Sequence, residues 1–252
     1  MIEDLAARRA CAGVALVVAH PDDETLALGG LFAHVPGLLL VHVTDGSPRA
    51  LPDAARHGMT TAHYAAARAA ELDQAMAVAD VPGLQRVMLG IADQDAALHI
   101  GTIATALAGL FYRHAITTVV THAYEGGHPD HDATACAVHR AAGDCSMIEF
   151  VGYRADYHSG EDGAFITDFL PGPAGMTITL TRPERTERRA MLDCFATQAD
   201  MLARFSDSAV QLRPAPRYNF AQPPHPGLLN YERWGWPMTG ARFRSLAEAG
   251  EA

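Results

Sequence analysis

A chain of 252 residues that is 49% hydrophobic can bury a substantial core, and this is an ordinary size for one α/β domain with a C-terminal appendage. Its 29 acidic and 19 basic residues give a formal charge of -10, which repels phosphate backbones and anionic lipid surfaces, so nucleic acid is not expected as a partner. No apolar run approaches the roughly 20 residues needed to span a bilayer, and Glu3, Asp4, Arg8 and Arg9 interrupt the start, so neither a membrane span nor a secretory signal is expected.

Along the chain, short β-branched apolar runs alternate with longer Ala-rich stretches of helical period, the pattern of βαβ units around a mostly parallel sheet. Strands are expected over residues 13–19, 38–44, 86–89 and 116–121, and helices over 25–33, 60–79, 98–114 and 132–141. Residues 147–153 and 176–180 read as two further strands, interrupted by Gly and Pro around 171–175, and 182–205 reads as one long amphipathic helix. Residues 214–240 carry Tyr218, Phe220, Tyr231, Trp234 and Trp236 without helical or strand period. They are expected to wrap over the domain in an ordered way. One domain is expected over 1–252, with a core over 10–205 and an aromatic, proline-rich extension over 206–252. The cysteines, Cys11, Cys136, Cys145 and Cys194, contain no C-x-x-C pair, which speaks against a disulfide framework or thiolate cluster and for reduced thiols in a cytoplasm.

Chemistry concentrates in two places. The first strand runs directly into His20-Pro21-Asp22-Asp23-Glu24, and the fourth runs through His122 towards His128-Pro129-Asp130-His131. Both segments then fall at the carboxyl ends of parallel strands, where α/β sheets bind ligands. Each proline fixes its own φ and pushes the preceding histidine towards an extended conformation, stiffening the loop that presents the side chains. Neighbours in an extended loop point to different sides, so Asp22 and Asp23 divide two tasks between them. Two histidines and a carboxylate, with one position left for water, are the ligand set of a catalytic zinc site. Such an ion lowers the pKa of its water from about 15.7 towards about 7. A carboxylate base then takes the proton as the water attacks a carbonyl, while a second histidine stabilises the oxyanion and protonates the leaving amine.

Two other readings stay open on the residues alone. The same ligand set serves non-haem Fe(II) oxygenases, so Zn2+, Fe2+ or another divalent cation fits. A non-catalytic sugar- or nucleotide-binding module is the third reading, although no G-x-G-x-x-G follows the first strand and the acidic loop repels a pyrophosphate.

Ala19-His-Pro-Asp-Asp-Glu24 followed by Gly29-Gly30, and later Gly126-Gly-His-Pro-Asp-His131, resemble the two signatures of the LmbE-like, or PIG-L-type, N-acetylglucosaminyl deacetylase family. The resemblance implies a Rossmann-like three-layer α/β/α fold, zinc dependence, and hydrolysis of an N-acetyl or other N-acyl group from a small-molecule amino-sugar conjugate. By motif position it implies His20, Asp23 and His131 as metal ligands and Asp22 as general base. His128 becomes electrostatic stabiliser and general acid, with Asp130 orienting its ring. Arg68, in Arg68-Ala-Ala-Glu71-Leu72, and Asp93 resemble substrate-side elements of the family. Some relatives place an oxyanion-binding tyrosine close before the second motif; here Tyr124 stands four residues ahead of His128. Glu24 is expected to serve its loop or helix start, where the dipole favours a carboxylate.

Substrate choice is expected to reside in the C-terminal third. There Tyr218, His225, Tyr231, Trp234 and Trp236 are candidates for an aromatic wall, with packing as the main work of most of them. Histidines outside the motifs, among them His34, His42, His57, His63, His99, His114, His139 and His158, read as structural or solvated. The sequence leaves homo-oligomer formation open. The whole reading requires folding to bring the imidazoles of His20 and His131 together.

Overall fold

Val14–Val18 is an unbroken apolar run with every residue buried, as befits a central strand covered on both faces. The computed structural model describes residues 1–50, 52–156 and 165–249, and His158 lies outside them. Its first half comprises α1 (Ile2–Ala6), β1 (Val14–Val18), α2 (Asp23–Leu28), β2 (Leu39–Pro48), α3 (Asp53–Arg56), α4 (Thr61–Ala79), β3 (Gln85–Asp93), α5 (Ile100–Arg113) and β4 (Thr118–His122). There follow α6 (Pro129–Ala141), β5 (Ser146–Phe150), β6 (Arg154–Ala155), β7 (Phe165–Ile166), β8 (Met176–Thr179), α7 (Arg182–Leu192), α8 (Ala199–Leu202), β9 (Ala209–Pro214), α9 (Asn230–Arg233) and α10 (Gly240–Ala249).

Seven strands form one sheet in the order β3-β2-β1-β4-β5-β9-β8. Strands β1 to β5 run parallel, β9 runs antiparallel to β5, and β8 antiparallel to β9. From β1 the chain steps outwards to β2 and β3, then returns to lay β4 on the other side of β1. Strand order therefore reverses between β1 and β4, which opens a crevice at their carboxyl ends.

The period-two pleat sorts the central residues onto two faces. Leu16, Val18 and Leu40 pack with Leu72 and Met76 of α4 and Met191 of α7. Val17, Leu39 and Val41 pack with Ile103 and Leu107 of α5, Cys136 of α6 and Phe243 of α10. The sheet is thus sandwiched between helical layers, a mostly parallel α/β architecture.

The structure departs from the sequence reading in several places. The helix expected over 182–205 is broken, because α7 ends at Leu192 and α8 spans only Ala199–Leu202. At the break Thr197 gives its backbone N–H and its hydroxyl to Glu71 of α4, at 2.8 and 2.6 Å, so a partner in the same helical layer takes the place of continued helical bonding. Strand β9, not anticipated at all, pairs on both sides. The expected core boundary near residue 206 therefore falls inside the sheet, and the wrap begins after Pro214. Within that wrap Tyr231, Met238 and Phe243 are buried against the second core, which makes the extension ordered and includes the unanticipated α10. Among the described residues no helix is long and apolar enough to cross a membrane. Cys11, Cys136, Cys145 and Cys194 form no disulfide.

Candidate metal centre and active site

The first motif is a stiff link between β1 and α2. The His20 backbone N–H donates to Asp23 Oδ2 at 2.8 Å, and the Asp22 N–H donates to Glu24 Oε2 at 2.9 Å. Glu24 is fully buried and also takes the Thr25 hydroxyl at 2.6 Å and faces His42 Nε2 at 3.0 Å. It serves the loop, as does His42. Asp22, at the N-cap of α2, has φ 114 and ψ -32, a conformation that costs a non-glycine residue about 1–3 kcal/mol and that the surrounding bonds impose.

The second motif is a helix start. His128 is the N-cap of α6, its Nδ1 accepting the Asp130 N–H at 3.1 Å, and Pro129 fills the first turn, where no N–H is needed. Asp132 reaches back to accept the N–H groups of Glu125 and Gly126 at 3.2 and 3.0 Å. A Cβ on Gly127 would lie 1.8 Å from the Tyr153 carbonyl oxygen, so only glycine allows the loop to pass there.

Because β1 and β4 are neighbours at the point of reversal, the two motifs meet. The rings of His20 and His131 have centroids 5.2 Å apart. His20 Nδ1 lies 3.3 Å from Asp23 Oδ2, and His131 Nε2 lies 3.4 Å from Asp23 Oδ1. One donor atom from each of the three lies within 4.8 Å of the others. A second group with the same property joins His20 to Asp93, His128 and Asp130. In it Asp93 Oδ1 stands 3.4 Å from His20 Nε2 and 3.6 Å from His128 Nε2.

Asp130 departs from its expected part. Its carboxylate accepts the N–H groups of Gln94 and Ala96 at 2.6 and 3.1 Å and faces His20 Nε2 at 3.2 Å, whereas the His128 ring meets only its backbone N–H. The side chain of residue 130 thus orients His20 rather than His128, because the helix start turns it towards the end of β3. His122, in the sequence simply the end of a strand, is part of the centre. It accepts the Ala19 N–H on Nε2 at 2.9 Å and stacks on His131 with centroids 4.0 Å apart, 11° from parallel. The signal was available in a histidine closing an apolar strand beside the first motif.

Burial raises Asp22 well above the usual carboxylate range, with Asp23 and Glu24 adding to the rise and Arg68 opposing it. For Asp23 burial is outweighed by His131 and His122, which hold it well below that range. Burial likewise opposes protonation of His20, yet Asp93, Asp130 and Asp23 outweigh it and raise the ring well above its ordinary value. Burial and the positive His20 push His128 well down, and burial with His131 takes His122 down to about 3. Asp93 is drawn down by His20 and His128 against its burial. The centre therefore gathers the ionised carboxylates of Asp23 and Asp93 with the neutral rings of His122 and His128 around a charged His20, and Asp93 Oδ1 lacks a hydrogen-bond partner. That donor set fits a divalent cation of the zinc type.

A cavity of about 190 Å³ opens onto these groups, lined among others by Asp22, Asp93, His128, Tyr153 and Trp236. Arg68 is at its edge, but its guanidinium is committed to Asp22 Oδ2 at 3.1 Å and to the Pro21 carbonyl. Tyr124 does not reach it. Its hydroxyl donates to the Gln222 carbonyl at 2.9 Å, and its ring packs on Phe220 and Phe243 in the second core, so the side chain expected on the substrate side serves the core instead. Of the expected aromatic wall, Trp236 is in place with its ring 4.9 Å from that of His128, and Trp234 packs behind it. Tyr218 and Tyr231 pack on the second core, and His225 is buried with Nδ1 at the Pro226 carbonyl.

Fold and site together define a Rossmann-like α/β chain with a histidine and carboxylate centre at the reversal point of its sheet. Residues 15–142 match the model of the PIG-L family, described as GlcNAc-PI de-N-acetylase, and the chain belongs to that family. Comparison with curated proteins finds no match. Among solved structures, the deacetylase of the teicoplanin biosynthesis pathway superposes with a TM-score of 0.63 at 17% identity, over 83% of this chain and 99% of that one. Its zinc-inhibited form gives 0.58 at 15%, over 82% and 100%. The N,N'-diacetylchitobiose deacetylase of Pyrococcus horikoshii gives 0.52 at 13%, over 85% and 87%. GalB, the 4-carboxy-2-hydroxymuconate hydratase of Pseudomonas putida KT2440, gives 0.54 at 18%, over 82% and 98%. At these identities the likeness is one of fold.

Proposed function

We propose that this protein is a metal-dependent hydrolase that removes an N-acetyl or related N-acyl group from a small amino-sugar conjugate, with zinc as the fitting metal. The fold alone does not choose, since a hydratase shares it. The observation that carries the reading is the convergence of His20, Asp23 and His131, with Asp22 and His128 lining the same cavity. Family membership and the deacetylase neighbours support it.

His20, Asp23 and His131 hold the cation, which when bound supplies Lewis acidity towards water and carbonyl oxygen. Asp22 is the base that takes the proton of the attacking water, and burial, which raises its pKa, makes its ionised form a stronger base than an ordinary carboxylate. His128 spends its Nδ1 lone pair on the Asp130 N–H, so the neutral ring carries its proton on Nε2, beside Asp93. From there it donates to the oxyanion that develops on the attacked carbonyl. Its expected second role as general acid needs a doubly protonated ring, which the Nδ1 bond opposes. Asp22, having gained a proton, returns it to the leaving amine.

The test is to load the protein with zinc and assay a panel of N-acetylated amino sugars for acetate and free amine. Asp22→Asn should keep metal and lose turnover, whereas Asp23→Ala should lose metal. Full metal occupancy without amine release from any N-acyl substrate would sink the reading.

A further inference from the structure

Two buried polar atoms behind the centre have no hydrogen-bond partner, His131 Nδ1 and Glu125 Oε2. Both residues approach one glycine. A Cβ on Gly152 would lie 2.7 Å from Glu125 Oε1 and 3.7 Å from His131 Nδ1, so the missing side chain at 152 is what gives the two groups a common space. The loop bearing Glu125 is fixed by Asp132 Oδ1, which takes its backbone N–H at 3.2 Å. The His131 ring is fixed in its plane by the stack on His122 and by the edge contact with Tyr153, whose ring centroid is 5.3 Å away. Every constraint on His131 is thus in place except a partner for the nitrogen that faces away from Asp23.

We infer that Glu125 is a positioning residue for His131, its carboxyl oxygen accepting the Nδ1–H and thereby fixing the tautomer that leaves the Nε2 lone pair for a cation beside Asp23. A carboxyl group keeps acceptor capacity whether ionised or not, so the contact does not depend on its charge. Metal-ligating histidines almost always have such an outer partner, and its loss typically costs 10- to 100-fold in metal affinity or activity. This inference rests on His131 being a ligand as proposed above.

The test measures zinc affinity by competition with a chromophoric chelator, and the visible spectrum of the Co(II)-substituted protein, for wild type, Glu125→Gln, Glu125→Ala and Gly152→Ala. Alanine at 125 should weaken zinc about 10- to 100-fold and shift the Co(II) bands. Glutamine, which keeps an acceptor oxygen, should lose less. Gly152→Ala, which leaves the glutamate but takes its space, should behave like Glu125→Ala. Folded variants with wild-type zinc affinity and Co(II) spectrum would overturn the inference while leaving the hydrolase reading intact. A wild type that binds no metal would overturn both.

Discussion

Arg68 Nη2 stands 3.1 Å from Asp22 Oδ2, both residues buried, so a helix of one layer sets the charge environment of the loop that ends β1. Arg68 is the largest influence holding Asp22 down against burial. Removing that charge raises the Asp22 pKa further and leaves more of it protonated at neutrality. Arg68→Met should therefore move the acidic limb of kcat/KM to higher pH, and Arg68→Lys should restore part of the shift. A pH profile superimposable on wild type would show that the pair does not tune the base. The loss at pH 7 should stay smaller than that of Asp22→Asn, for which about 10²–10⁴-fold is expected.

His128 is held well below the ordinary histidine value by burial and by His20. It is therefore neutral at pH 7 and gains a proton only as pH falls through its lowered pKa. As a neutral donor it should contribute no basic limb to kcat/KM, and His128→Gln should slow turnover about 10²–10³-fold at every pH above neutrality. A basic limb present in wild type and abolished in His128→Gln would restore the general-acid assignment.

Asp130 is predicted to act on His20. Asp130→Asn should weaken zinc binding about 10- to 100-fold. If the carboxylate worked through His128 instead, turnover would fall with metal affinity unchanged, and the two outcomes are separable by chelator competition on the same preparation.

Gly127→Ala tests the crossing under the Tyr153 carbonyl, where an added methyl meets backbone rather than a flexible side-chain end. The variant should lose about 1–3 kcal/mol in denaturant unfolding. It should also bind metal less well, because the displaced loop leads into His128.

His139 packs between Tyr218 and Phe220, ring centroids 5.3 Å away, with Nε2 unpartnered, and burial lowers it from 6.5 to about 4. Below pH 6.5 the unfolded chain takes up the proton first, so the stability contributed by the neutral ring is lost progressively as pH falls from 6.5 to 4. Against wild type, His139→Phe should become relatively more stable as denaturation is repeated down that range. A difference constant with pH would show that the ring titrates normally in the fold.

The sequence by itself determined the alternation of strands and helices and the two motifs at strand ends, because these depend on local quantities: apolar period, the φ locked by Pro21 and Pro129, and the cap and dipole preferences of a helix start. That the segments bearing His20, Asp23 and His131 would converge was legible for that reason, and so was Glu24 as a loop residue. Tertiary structure alone decided which atoms those residues meet. The Asp130 carboxylate turns to His20 and two β3-side N–H groups because the helix start points it there. Tyr124 turns into the aromatic core because α10, a segment more than 100 residues later, supplies Phe243 against it. Strand β9 gains its partners from β5 on one side and β8 on the other, and beyond the break that follows Leu192, Thr197 bonds Glu71 of α4. Each of these is a contact between distant segments, and its energy depends on a distance that no spacing along the chain encodes.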